Sequence, residues 1–146
     1  MDDVDRQILT LLIEDGRRTY DDIAGRVALS PPSVKRRVDR LIADGALRGF
    51  TAILDHAALG WTTEALIELF FAPGTQLEDV AVTLGGHPEV VEAWSVAGEA
   101  DAIARVRTLS NADLERLIRD LQRDGSVVRT RSQVVLSALV VRPVSA

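Results

Sequence analysis

Apolar residues recur at intervals of three and four in the first 45 residues, which predicts three short amphipathic helices. Asp2 or Asp3 fits the N-cap position of the first helix, and Gly16 is expected to end it. Thr19 opens the second helix and forms a weaker capping box with Asp22. The apolar stripes of these two helices are Val4, Ile8, Leu11 and Leu12 in the first, and Ile23, Ala24 and Val27 in the second.

The third helix is predicted within the segment from Leu29 to Gly45. Ser30 is an N-cap residue, and Pro31 or Pro32 fits the first helical position, where a missing N–H costs nothing. Gly45 supplies the left-handed residue that ends the helix. Its residues divide between an apolar face of Val34, Val38, Leu41 and Ile42 and a polar face of Ser33, Arg36, Arg37 and Arg40.

The turn of Ala28, Leu29 and Ser30 joins the second helix to this basic helix, which is the arrangement of a helix-turn-helix. The recognition helix of that motif enters the major groove of DNA. Residues 47–54 then change to a composition that predicts a strand or short wing, with Arg48 near a phosphate. The polar face is expected to contact bases, whereas Lys35, Arg48 and the helix N-terminus are expected to contact phosphates. The candidate DNA-contacting residues are Ser30, Pro32, Ser33, Lys35, Arg36, Arg37, Arg40 and Arg48.

The second half alternates between strand-like and helix-like patterns. The predicted elements are strands at 64–71, 90–96, 102–107 and 127–141, and helices at 77–84 and after Ser110. The order βαββαβ is that of a ferredoxin-like fold, an antiparallel sheet with both helices on one side. The chain is therefore predicted to be an α+β protein in which a helix-turn-helix, winged-helix-like domain (1–54) precedes a linker (55–63) and a ferredoxin-like domain for sensing and dimerisation (64–146).

The face of the sheet that carries no helices is expected to need a partner. Its residues cannot all be polar, given Phe70 or Phe71, Trp94, Val96 and Val135. A second copy of the same sheet is the natural partner, because closed two-fold homodimers are the commonest soluble assembly.

The charge distribution favours DNA contact by the third helix alone. The net charge of −5 over 146 residues argues against an indiscriminate polyanion binder. Residues 31–48 nevertheless hold two acidic and five basic residues.

The chain lacks cysteine, which excludes disulfides and thiolate metal sites. An acidic N-terminus and the lack of any spanning apolar run lead us to expect a cytoplasmic protein.

The sequence offers little for enzyme chemistry. His56 and His87 are isolated from each other, and no Ser, His and Asp set or phosphate-binding glycine loop is recognisable. We therefore predict no catalytic residue, no metal site and no cofactor.

Taken in order, several motifs make the chain resemble the Lrp/AsnC, or feast/famine, family of bacterial and archaeal transcription regulators. They are Asp5-Arg6-x-Ile8-Leu9, Asp15-Gly16-Arg17, Leu29-Ser30-Pro31, Arg37-Val38-x-Arg40-Leu41, Gly45-x-Leu47-x-Gly49-Phe50-Thr51-Ala52, His87-Pro88-x-Val90, Val96-x-Gly98-x-x-Asp101 and Thr130-Arg131-Ser132. The resemblance implies a homodimer, formed through the sheets, that assembles to tetramers or octamers. It also implies that a small effector, usually an amino acid, binds near the Gly-x-x-Asp turn.

Carried onto this chain, the resemblance assigns an effector-binding role to the turn between the two middle strands. Gly98 would offer backbone N–H groups to an α-carboxylate, and Asp101 a charge to an α-ammonium. The candidate effector-binding residues are Gly98, Glu99, Asp101, Thr130 and Ser132. Two positions depart from the family pattern, since Ala102 stands where a tyrosine is common and Ala28 where a glycine is common.

We therefore expect a sequence-specific DNA-binding regulator whose oligomeric state or operator affinity responds to a small effector, an amino acid by this resemblance. Two alternatives stay open on the sequence. One is an enzyme similar to the sirohaem decarboxylases, which share this two-domain scaffold, and the other is an architectural DNA-binding protein without a ligand.

Overall fold

The structure is a computed structural model that describes residues 1–141, in two compact units. The first unit comprises Met1–Ile53 together with the described residues Val140 and Val141, and the second comprises Leu54–Leu139. Among residues 1–141, no helix combines the length and the apolar character needed to cross a membrane.

The first unit contains the three predicted helices, α1 (Asp3–Glu14), α2 (Tyr20–Val27) and α3 (Pro31–Ala43). Each helix is three to four turns or fewer, so packing of the apolar stripes is what stabilises them. The three-residue turn between α2 and α3 is confirmed, and Ala28 within it has the left-handed conformation at φ 52° and ψ 44°. The buried core of the unit is formed by Ile8, Leu12, Ile23, Ala24, Val27, Val34 and Val38.

Hydrogen bonds at the helix ends differ in part from the prediction. Asp2 caps α1 through a reciprocal capping box, because its Oδ1 accepts from the Asp5 N–H at 2.8 Å while Asp5 Oδ2 accepts from the Asp2 N–H at 3.0 Å. Thr19 caps α2 as predicted, but the Asp22 carboxylate binds Arg18 and Arg26 and does not close a capping box. Side-chain ion pairing therefore outcompetes the predicted backbone contact.

Three further expectations for the first unit are wrong. Gly16 does not end α1 in a left-handed conformation, since the extended residue Asp15 takes the C-cap position. Ile42 does not join the apolar face of α3, because it is 43% exposed. Residues 47–54 form no strand in the described chain, since a strand requires a hydrogen-bonded neighbour and none of the described strands pairs with them.

The second unit has the predicted order of elements. It contains β1 (Thr63–Phe71), α4 (Leu77–Gly85), β2 (Val90–Ser95), β3 (Ala102–Thr108), α5 (Asn111–Leu121) and β4 (Val127–Val134). The strands form one antiparallel sheet in the order β2-β3-β1-β4, which confirms the ferredoxin-like fold. The last strand is shorter than the predicted 127–141, because ladder pairing with β1 ends at Val134.

The two faces of the sheet have different chemistry. On one face, buried residues of the strands pack against α4 and α5, and the core is formed by Ala65, Ile67, Leu69, Val80, Leu84, Ala102, Ala104, Val106, Leu114, Leu117, Leu121 and Val127. The opposite face carries ion pairs between neighbouring strands, with Glu64 bound to Arg105 and Glu68 bound to Arg131. The sequence predicted apolar residues on the face without helices, and the structure shows that this face also carries several charged side chains.

Candidate DNA interface and effector turn

The exposed face of α3 is formed by residues at spacings of three and four. Ser33, Arg36 and Arg40 lie within about 60° of one another around the helix axis, at 100° per residue. Arg36 is exposed and has no ion pair among residues 1–141. A guanidinium without an internal partner keeps all its donors for an external acceptor such as phosphate or guanine.

The first turn of α3 offers fewer donors than the sequence predicted. Ser30 occupies the N-cap position, but its hydroxyl bonds to the Ser33 hydroxyl at 2.9 Å, so the predicted side-chain cap is absent. Pro31 and Pro32 have no N–H, and the Ser33 N–H donates to the Ser30 carbonyl at 2.9 Å. Phosphate contact by the amides of this first turn is therefore not supported, and any contact there must use side chains.

Arg37 and Arg40 are engaged within the chain, which the sequence did not indicate. Arg37 Nη1 donates to Asp2 Oδ2 and to Asp5 Oδ1, both at 2.7 Å. Arg40 Nη2 donates to Asp5 Oδ1 at 2.9 Å and to Asp5 Oδ2 at 2.7 Å. We call Asp2, Asp5, Arg37 and Arg40 the charge cluster. The sequence placed Asp2 at the N-cap and Asp5 in a motif but did not predict their contacts with these arginines, for which the D-x-x-D spacing at the start of α1 was the available signal.

The other predicted cations near α3 are accessible. Lys35 Nζ donates to Asp39 Oδ2 at 2.6 Å, but both side chains are exposed, and surface ion pairs of this kind are weakened by water and salt. Arg48 is exposed in the segment after the helix and has no ion pair in the part of the chain that the structure describes. Both side chains can therefore contact phosphate.

The charge cluster lowers the pKa of both of its carboxyl groups. The hydrogen bond from Arg37, followed by that from the Asp5 backbone, lowers the pKa of Asp2 from 3.8 to about 2. The hydrogen bond from the Asp2 backbone lowers the pKa of Asp5, against the opposing effect of burial, and Arg37 adds to the lowering.

Because these pKa values are lower in the folded state, the stability they contribute is fully present above about pH 4 and is lost as pH falls towards 2. We expect the thermal midpoint of the first unit, followed by circular dichroism, to fall steeply between pH 4 and pH 2. An Asp2→Asn variant should show a smaller fall over that interval. An equal fall in both proteins would mean that Asp2 does not contribute to the acid response.

The predicted effector turn connects β2 to β3 and is tied to β1 through Asp101. The Asp101 N–H donates to the Leu69 carbonyl at 3.0 Å, and Asp101 Oδ2 accepts from the Phe71 N–H at 2.8 Å. Oδ1 of this exposed carboxylate has no hydrogen bond within residues 1–141, so it can still accept from a ligand. A cleft of about 600 Å³ opens beside it, lined by Phe71, Ala72, Pro73, Gly74, Thr75, Leu77, Ser95, Val96 and Asp101.

The structure of one chain does not bring the five predicted effector residues together. Thr130 and Ser132 pair with Leu69 and Ile67 on β1, whose side chains face the helices. Glu99 lies instead within 3.6 Å of Arg129 and of Arg131. Of the five predicted effector residues, Asp101 lines the cleft. A complete binding pocket therefore requires side chains other than these five.

The second unit shows no arrangement for metal chemistry. His56 contacts the guanidinium of Arg107, which also binds Glu64. Within the described residues, no three His, Cys, Asp or Glu side chains are grouped so as to hold a metal ion.

Comparison with known proteins assigns both units. Residues 1–42 match the AsnC-type helix-turn-helix domain, and residues 64–144 match the Lrp/AsnC ligand binding domain. The HTH-type transcriptional regulator Rv2324 of Mycobacterium tuberculosis is 39% identical over 142 residues, which cover 97% of this chain and 96% of that relative.

Two solved structures resemble the whole chain and were determined with an amino acid. The feast or famine regulatory protein Rv3291c of M. tuberculosis, complexed with L-methionine, has a TM-score of 0.89 and 33% identity, covering 96% of this chain and 95% of that one. The transcriptional regulator NMB0573 of Neisseria meningitidis, also an L-methionine complex, has a TM-score of 0.89 and 28% identity, covering 97% and 94%. These names favour a regulator over the decarboxylase and architectural alternatives. The chain belongs to the Lrp/AsnC family of transcriptional regulators.

Proposed function

We propose that this regulator reads duplex DNA through the face of α3 that contains Ser33, Arg36 and Arg40. The observation that carries the proposal is Arg36, an exposed cation with no acidic partner among the described residues. Guanidinium groups suit phosphate oxygens and the N7/O6 edge of guanine in the major groove. Lys35 and Arg48 supply phosphate contacts, and Ser30 and Pro32 lie where the start of the helix approaches the backbone.

We propose that two or more copies act together on DNA. One α3 offers few cations in a chain of net charge −5, so a single copy gains little from phosphate contacts. The sheet face without helices leaves Leu66 and Trp94 exposed, which supports pairing of this face with a second copy in a homodimer, and of dimers into tetramers or octamers. Two-fold symmetry would place two α3 helices on successive half-sites.

We propose that an amino acid binds beside the turn of Gly98, Glu99 and Asp101 and changes the affinity for DNA. The support is the available Oδ1 of Asp101, the adjoining cleft, and the L-methionine complexes of Rv3291c and NMB0573. Gly98 would bind the α-carboxylate and Asp101 the α-ammonium, while Thr130 and Ser132 would contribute from a neighbouring surface of the assembly. The ligand can change the DNA affinity only if it binds one arrangement of the assembly more tightly than another, and the difference in its affinity for the two sets the size of the effect.

L-Methionine is expected to change the DNA affinity by about fivefold or more, the lower end of typical allosteric coupling. The probe is a duplex obtained by in vitro selection with this protein (the selected duplex), compared with a duplex of the same composition in scrambled order (the shuffled duplex). Fluorescence anisotropy of labelled DNA measures the dissociation constant with and without L-methionine.

The Asp101→Asn variant keeps an oxygen for the Phe71 N–H and removes the charge, so we expect it to lose the response to L-methionine. Asp79→Asn makes the same charge change on the exposed first turn of α4 and should keep the response. Equal affinity for the selected and shuffled duplexes would contradict DNA reading. An unchanged affinity in the presence of each of the twenty amino acids would contradict the effector proposal.

A further inference from the structure

We infer that Asp5 determines the DNA specificity of α3 without touching DNA. It orients the Arg40 guanidinium and holds Arg37 inside the protein, away from phosphates. The inference rests on the proposed DNA contact by α3.

Asp5 is a fixed internal anion. It is fully buried, and its two oxygens accept from the Asp2 N–H, from Arg37 Nη1 and from Arg40 Nη2. The capping box fixes the residue at the start of α1, because Asp5 and Asp2 hold each other's backbone N–H groups. A carboxylate held in this way presents its lone pairs to α3 in one direction.

Arg40 is held at one point and is accessible elsewhere. Its Nη2 is engaged by Asp5, while 52% of its side chain is exposed. Nη1 and Nε make no hydrogen bond within residues 1–141, so three N–H donors remain for an external acceptor. Because the guanidinium is planar and rigid, binding of one nitrogen by Asp5 sets the direction of the others. Arg40 follows Arg36 by four residues, so both act on the same face of α3.

Arg37 differs from Arg40 because it is less exposed and is bound by two carboxylates. Its Nη1 is shared between Asp2 and Asp5, and 24% of its side chain is exposed. Its neighbours one turn away on the helix, Val34 and Leu41, are buried in the first unit. To reach a phosphate, Arg37 would have to break two charge-assisted hydrogen bonds and leave a buried carboxylate short of a donor. The structure therefore assigns Arg37 an internal role.

Two consequences for DNA binding follow from this arrangement. With Asp5 in place, Arg40 has one orientation, which discriminates between sequences, and Arg37 adds nothing to sequence-independent affinity. Without the Asp5 charge, Arg40 loses its acceptor and Arg37 keeps only Asp2, so both guanidinium groups are freer to bind any phosphate. A variant lacking the charge should bind non-specific DNA more tightly and discriminate less, whereas a purely structural defect would weaken both kinds of binding alike.

The test is Asp5→Asn in the full chain, measured with the selected and shuffled duplexes over a series of salt concentrations. We expect tighter binding to the shuffled duplex, with a salt slope steeper by about 0.9 for each arginine released, and a ratio of the two affinities about tenfold smaller. Asp44→Asn is the matched control. It makes the same charge change at the C-cap of α3, where the described residues give it no ion pair, and should leave the ratio unchanged.

Two arginine variants test the inference even if Asp5→Asn does not fold. Arg40→Lys keeps the charge without the planar group, so affinity for the selected duplex should fall while the salt slope stays. Arg37→Gln should leave the salt slope unchanged. A slope smaller by about 0.9 in Arg37→Gln, or equal weakening of both duplexes by Asp5→Asn, would overturn the inference. Failure of the proposed function would appear in the wild-type protein, as equal affinity for the selected and shuffled duplexes. Failure of the present inference would appear only in the variants, with the preference of the wild-type protein intact.

Discussion

Replacing Asp5 by alanine is expected to lower the free energy of unfolding of the first unit by about 3 kcal/mol. The substitution leaves Arg37 and Arg40 without their shared acceptor and deprives the Asp2 N–H of its partner. Breaking a buried ion pair typically costs about 3 to 5 kcal/mol. The lower value applies because half of the Arg40 side chain lies in water and can be solvated. Urea unfolding followed by circular dichroism measures the change.

Asp3→Ala provides the matched comparison for this stability effect. Asp3 also lies in the first turn of α1, but it is exposed and has no ion pair within the described residues. Its contribution is limited to interaction with the helix dipole, so we expect a loss of at most about 1 kcal/mol. Similar losses for the two variants would show that the charge cluster adds nothing beyond the position of an acidic residue in the first turn.

Replacing Arg36 by alanine is expected to weaken binding to the selected duplex by about 1 to 3 kcal/mol, roughly 5- to 150-fold. The residue makes no internal ion pair in the described chain, so its removal should leave the stability of the fold nearly unchanged. The loss therefore reports DNA contact directly. Fluorescence anisotropy with the selected and shuffled duplexes gives the two dissociation constants.

The comparison of the two duplexes also distinguishes the kind of contact. A loss confined to the selected duplex indicates that Arg36 reads a base, and an equal loss on both indicates a phosphate contact. Arg119→Ala is the control, since it removes an exposed arginine from α5 in the second unit. An affinity of Arg36→Ala equal to that of the wild-type protein on both duplexes would contradict the proposed role of α3.

The fold was largely predictable because local signals and burial agree in this chain. Ser30, Pro31 and Gly45 delimit α3 within a residue or two, and Gly45 has the expected positive φ of 73°. The change from a period of 3.6 to a period of 2 likewise distinguishes the helices from the strands of the second unit. The two wrongly predicted strand segments, 47–54 and 135–141, show the limit of this reasoning. Composition can favour an extended backbone, but it does not supply the neighbouring strand that a ladder requires.

The candidate DNA interface was only partly predictable for a related reason. Apart from Ile42, helical spacing correctly separates a buried from a polar side of α3, but Arg37 lies at the boundary between them. Arg37 differs from Arg36 because it contacts Asp5 and Asp2, which lie 32 and 35 positions earlier in the chain. The same applies to Asp101, whose bond to the Phe71 N–H joins positions 30 residues apart. Contacts between residues so far apart in the chain depend on the tertiary structure, and no periodic pattern in the sequence indicates them.

The paired prolines at the start of α3 affect how DNA recognition can diverge. Pro31 and Pro32 have no N–H, and the Ser33 N–H bonds to the Ser30 carbonyl. The backbone of this first turn therefore offers no free donor to a phosphate. Contact with DNA then depends on side chains alone, and these can be exchanged without rebuilding the turn or the packed side of the helix. Gene duplication followed by a few substitutions on one surface would suffice to give a descendant of this protein a different set of target promoters.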